Sequence, residues 1–241
     1  MRNRIFITSA LFALMTLASS VKAQMNDSNE AIERGNSLFH RGQYELAIFE
    51  YRDALNWPGA HQARARFNIG VCNHRLGRTR EAVTDYRAAI KLREGRFPSA
   101  SYALGIALQD LRRYQEAREA FTQAVKSSGG KHAEALFELA LECQRDGDDR
   151  AAFDHYRQAI AQSEDRIPAC HNNLGVILAK AGMVEEATRE FETAVKNSRG
   201  KFVEANQNLK RCRQMINAPS PAMIASLKMV EGASGAGMMA E

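Results

Sequence analysis

The chain has 241 residues, with 33 Lys and Arg against 28 Asp and Glu and a net charge of +5. That balance lacks the dense basic face of a general nucleic-acid binder. Its six histidines form neither an HExxH nor a His-x3-His pair, so no metal or other cofactor is expected.

The chain begins Met1-Arg2-Asn3-Arg4 and continues with an uncharged run from Ile5 to Val21, then Lys22-Ala23-Gln24. A positive start, an apolar segment and a small-residue site describe a secretory signal peptide over 1–23, with a short linker at 24–27. The strongly apolar part ends near Ala18, short of the about 20 residues needed to span a bilayer. The expected location is therefore exported, periplasmic or extracellular, with an uncleaved membrane anchor as the alternative. Loss of 1–23 removes Arg2, Arg4 and Lys22 and lowers the net charge from +5 to +2.

From residue 28 the sequence repeats every 35 residues. Ala47, Ala82, Ala117, Ala152 and Ala187 share one column. Four residues on stand Tyr51, Tyr86, Phe121, Tyr156 and Phe191, and three further on Ala54, Ala89, Ala124, Ala159 and Ala194. Offsets of four and seven put all three columns on one helix face. The small residues let helices approach and the aromatic fills the space between them. A fourth column reads Gly35, Gly70, Gly105, Ala140 and Gly175, in the middle of a preceding helix. Glycine there costs about 0.5–1 kcal/mol relative to alanine, which suggests close backbone contact between paired helices. Turn glycines follow at Gly42, Gly77, Gly147 and Gly182. Pro98 and Pro168 open first helices, where proline is tolerated. A period of this size marks a stack of repeated supersecondary units.

The spacing Gly-x11-Ala-x3-aromatic-x2-Ala, as in ARFNIGVCNHRLGRTREAVTDYRAAI from Ala65, resembles the tetratricopeptide repeat. The resemblance covers about 28–216, with repeats near 28–62, 63–97, 98–132, 133–167 and 168–202 and a polar capping helix to 216. Two features depart from the family pattern: the period is 35 where 34 is common, and the proline that usually closes the second helix is missing. A period of 35 is also that of pentatricopeptide RNA-binding repeats, which lack the small-residue column; an RNA-binding helical-repeat protein is the alternative. The resemblance implies an all-α fold, a right-handed superhelical solenoid of antiparallel helix pairs. It also implies a non-enzymatic scaffold that binds a peptide or helix of a partner protein in a concave groove.

By the same resemblance, residues two before and five after the glycine column face that groove. Those positions give Asn68, Arg75, Arg145, Asn173, Lys180 and Asn208; with the neighbouring groove positions Tyr102, Phe137 and Arg211 they are the candidate partner-binding residues, and Gln144 and Asn172 are further neighbouring groove positions. Asn173 and Asn208 lie 35 residues apart, in equivalent places on successive first helices. Their amides should point together, each offering a donor and an acceptor to an extended backbone. Lys180 and Arg211 are placed to hold an acidic side chain. The groove set is not full enough for the basic-and-asparagine clamp that chaperone-binding members use for a terminal carboxylate.

No catalytic constellation is found. Cys170 and His171 are sequence neighbours and point about 100° apart on a helix, which argues against a nucleophile–base pair. Gly232, Gly235 and Gly237 lack the strand and helix of a dinucleotide site. Cys72, Cys143, Cys170 and Cys212 fall at registers too far apart for disulfides, so four thiols are expected. Residues 217–241 carry Pro219, Pro221 and a Gly, Ala and Met-rich end, which reads as a flexible tail with a short helical stretch near 223–230. Contact with a membrane is expected only if the signal is uncleaved, and self-association is left open.

Overall fold

The computed structural model describes residues 28–57, 60–164, 166–217 and 220–230. The signal segment 1–23, the linker and residues 231–241 lie outside the described residues. Among the described residues there are helices, turns and no strand, in two compact units divided after Arg113.

The first unit holds α1 (28–40), α2 (Tyr44–Ala54), α3 (Ala60–Arg75), α4 (Thr79–Leu92) and α5 (Pro98–Asp110). Consecutive helices pack as antiparallel neighbours: α2 on α3, α3 on α4, α4 on α5. The second unit holds α6 (Tyr114–Ser127), α7 (Ala133–Arg145), α8 (Asp149–Ser163), α9 (Pro168–Lys180), α10 (Val184–Asn197), α11 (Val203–Asn217) and the short α12 (Pro221–Ala225). Here each helix from α6 to α12 packs on the next, and α9 also meets α11 and α12.

The repeat columns form the core of each unit. Tyr51, Tyr86, Phe121, Tyr156 and Phe191 are fully buried, as are the alanines that flank them. The glycine column has a different cause from the backbone contact expected of it. A Cβ on Gly35 would lie 2.4 Å from the Tyr51 ring, on Gly70 2.6 Å from Tyr86 and on Gly175 2.8 Å from Phe191. The aromatic of the second helix packs against the glycine of the first, and the ring, not the opposite backbone, excludes a side chain.

The turns between paired helices are built alike. Gly182 N–H donates to Ala179 O at 3.0 Å and Met183 N–H to Leu178 O at 2.9 Å, the paired bonds of a Schellman end. That geometry needs a left-handed residue, and Gly42, Gly77, Gly147 and Gly182 have φ of 74°, 74°, 80° and 82°. Arg112 takes the same place without being glycine, at φ 58°.

Residues 220–230 depart from the reading of 217–241 as a flexible tail, while the short helical stretch expected near 223–230 has its counterpart in α12. After α11 the chain forms α12 and then continues from Leu227 to Val230 without regular secondary structure. Met223, Ile224, Leu227, Met229 and Val230 pack, partly buried, on the core of the second unit. Burial of five apolar side chains offsets the ordering entropy that the composition of the tail suggested it could not meet. Among the described residues no helix is long and apolar enough to cross a membrane.

Candidate functional site

The second unit gathers amides from three helices around the tail. Asn172 and Asn173 come from the first turns of α9, Asn208 from α11 and Gln144 from the last turn of α7. Asn173 and Asn208 are one repeat apart, so both project to the same side of the unit, and both are fully buried.

Each amide engages a main-chain segment. Asn208 Nδ2 donates to Lys228 O at 2.7 Å, and Lys228 N–H donates back to Asn208 Oδ1 at 2.9 Å. Asn173 Nδ2 donates to Val230 O at 2.9 Å, and Val230 N–H returns a bond to Asn173 Oδ1 at 2.9 Å. Asn172 Nδ2 adds a third donor to Lys228 O at 3.0 Å. In an extended chain the N–H and C=O of residues i and i+2 face one way. Residues 228 and 230 both turn their main-chain groups to the amides, the alternation that such a chain shows.

The amides are held by one another. Asn208 Nδ2 donates to Asn172 Oδ1 at 2.9 Å and Asn172 Nδ2 to Asn173 Oδ1 at 3.1 Å. Asn173 Nδ2 also donates to the Tyr156 hydroxyl at 3.0 Å, which in turn donates to Gln144 Oε1 at 2.6 Å. Burial pushes the Tyr156 phenol well above its ordinary pKa, so the hydroxyl keeps the proton it donates. Asn173 thereby fills both donor and both acceptor positions of its amide. Gln144 Nε2 donates to the Met229 thioether at 3.0 Å.

The other candidate residues sit in different roles. Lys180 is exposed, lines the cleft beside Ile224, Leu227 and Met229, and pairs with Asp149 at 3.8 Å. Arg145 is exposed and bonds Glu142 of its own helix. Arg211 is half-buried, with a buried Nη1 that has no hydrogen-bond partner among the described residues. Phe137 is fully buried, tilted on Tyr156 with ring centres 5.7 Å apart, so it forms core beneath the site and not a contact surface. In the first unit Asn68 is fully buried and donates to Asn36 Oδ1 at 3.2 Å, Arg75 is exposed at the end of α3 and Tyr102 is half-buried on α5.

Tyr156 was legible only as a core aromatic. Its signal is the hydroxyl: a buried column that mixes Tyr with Phe asks what each phenol bonds. Cys72, Cys143, Cys170 and Cys212 are free thiols, and burial raises Cys72 to about 12 and Cys170 higher, so both stay protonated. Among the described residues no three His, Cys, Asp or Glu side chains gather to hold a metal ion.

Two family models, each described as tetratricopeptide repeat, match residues 32–100 and 97–165. No curated protein matches the chain. A structure described as a functional characterisation of PilF from Pseudomonas aeruginosa is similar with a TM-score of 0.69 at 17% identity, over 85% of this chain and 90% of that one. YrrB, described as a TPR protein with an unusual peptide-binding site, is similar with a TM-score of 0.57 at 19% identity, over 80% and 97%. MamA is similar with a TM-score of 0.57 at 20% identity, over 73% and 93%.

Proposed function

We propose, since the chain belongs to the tetratricopeptide-repeat family, that it is an exported, non-enzymatic scaffold that binds an extended segment of a partner protein through the amides of its second unit. Membership of a family built for protein contact supports an interaction role. The observation that carries the finer reading is the paired exchange of main-chain bonds by Asn208 with residue 228 and by Asn173 with residue 230. Such pairs read a peptide backbone, and apolar clefts beside it read side chains. YrrB, similar in fold, is described as having a peptide-binding site, which agrees with this reading. No nucleic-acid partner is proposed, and membrane contact only if the N-terminal segment is retained.

Co-purification from the native compartment tests the reading, with the full chain beside an Asn173→Ala/Asn208→Ala variant. A partner kept by the first and lost by the second is expected; an unchanged set of partners overturns it. Export rests on the charged start and apolar run of residues 1–23. N-terminal sequencing of the native protein should find Gln24 first, and a chain that retains Met1 counts against cleavage.

A further inference from the structure

We infer that residues 220–230 are a resident stand-in for the partner: the amide site recognises an extended apolar–any–apolar–apolar peptide, and such a peptide binds by displacing the tail. This rests on the peptide-binding reading above and names its ligand class and its regulation.

Four groups of the tail meet the three asparagine amides, and all four are main-chain: the N–H and C=O of Lys228 and of Val230. Any extended segment presents the same groups at the same spacing, so nothing in these bonds is particular to this chain. Side-chain selection comes from the pattern around them. Lys228 is exposed, while Leu227, Met229 and Val230 are partly buried against the core of the unit. The position of Met229 is marked further by the Gln144 amide on its sulfur. Leu227 and Met229 share a cleft with Val176, Lys180 and Ile224. A ligand therefore needs apolar side chains where Leu227, Met229 and Val230 stand and tolerates any residue at 228.

The tail is held loosely enough to be exchanged. Its helix is a single turn of five residues, and no tail side chain described there is fully buried. Against that, α11 ends at Asn217 and the docked segment begins at Ser220, so the tether is very short. A short tether gives an effective concentration on the order of millimolar, which a free peptide must outcompete. The apparent affinity of the partner falls by the fraction of molecules with the site open.

The test uses the full chain and a Lys228→Pro/Val230→Pro variant, which removes the two tail N–H donors and leaves every groove side chain in place. The probe is a fluorescein-labelled synthetic peptide with the sequence of residues 220–230, titrated into the millimolar range by anisotropy. The proline variant should bind it at least tenfold more tightly than the unsubstituted chain. N-methylation of the probe at the positions of 228 and 230, or aspartate at those of 227 and 229, should abolish binding. Equal binding by both chains, still lost on N-methylation, overturns the competition by the tail and leaves the amide site standing. Binding that survives N-methylation overturns the amide site itself. Binding by neither chain overturns the ligand class, since docking would then depend on the tether alone. Binding that survives the aspartates overturns the apolar pattern.

Discussion

Tyr51 with Asn68 and Tyr156 with Asn173 occupy the same two repeat columns, three repeats apart, yet they end in different chemistry. In the first unit the Tyr51 hydroxyl donates to Asn36 Oδ1 at 2.7 Å, and Asn68 Nδ2 reaches the same oxygen at 3.2 Å. The residue that corresponds to Asn36 in the second unit is Leu141, buried and unable to accept a hydrogen bond. There Tyr156 turns to Gln144 instead, and Asn173 spends the rest of its amide on a peptide backbone. Where a repeat column loses its local side-chain partner, a buried amide must find another one, and Asn173 finds it in the main chain of Val230.

The largest effect that probes this difference is removal of the aromatic. Tyr51→Ala and Tyr156→Ala should each cost about 3–5 kcal/mol by thermal denaturation, since both rings are fully buried. Only Tyr156→Ala should also speed hydrogen exchange at the Lys228 and Val230 amides. Next comes removal of the amide partners. Asn36→Leu should cost about 1–3 kcal/mol by leaving the Tyr51 hydroxyl and the Asn68 amide short of an acceptor, with tail exchange unchanged. Asn173→Ala should cost a similar about 1–3 kcal/mol and release the tail; equal tail protection in the two variants would erase the distinction between the units. Smaller again is Tyr156→Phe, which keeps the packing and removes one hydroxyl. About 1 kcal/mol is expected, with a partial loss of tail protection from the freed Gln144 and Asn173. Smallest is Arg112→Gly, at the turn position where the other repeats carry glycine. Relief of its left-handed φ of 58°, less the added freedom of glycine when unfolded, should raise stability by up to about 1 kcal/mol in a denaturant titration.

The geometry of the candidate site was legible in part. Equivalent register placed Asn173 and Asn208 on one side, and the chemistry of a primary amide suggested backbone recognition; the bonds to residues 230 and 228 have that form. Phe137 was read as a groove contact because it shares a column with Asn172, but its ring lies on Tyr156 in the core. A column states which way a residue points and not what covers it. The docking of residues 220–230 was missed because composition averages over the length of 217–241. The Gly and Ala-rich end masked five apolar side chains, of which Met223, Ile224 and Leu227 recur at helix-like spacing.

By itself the sequence determined the helix pairs, the turns and the buried columns. Those depend on contacts within one repeat or with the next, and a 35-residue period writes such contacts into every copy. The tertiary structure alone decided that the glycine column answers to an aromatic ring, that Leu141 leaves Asn173 without the side-chain partner Asn68 has, and that residues 228 and 230 lie on the amides. Each is a distance between atoms far apart in sequence, such as Asn173 and Val230, 57 residues apart, and it depends on how several helices stack at once, which no local pattern of residue types records.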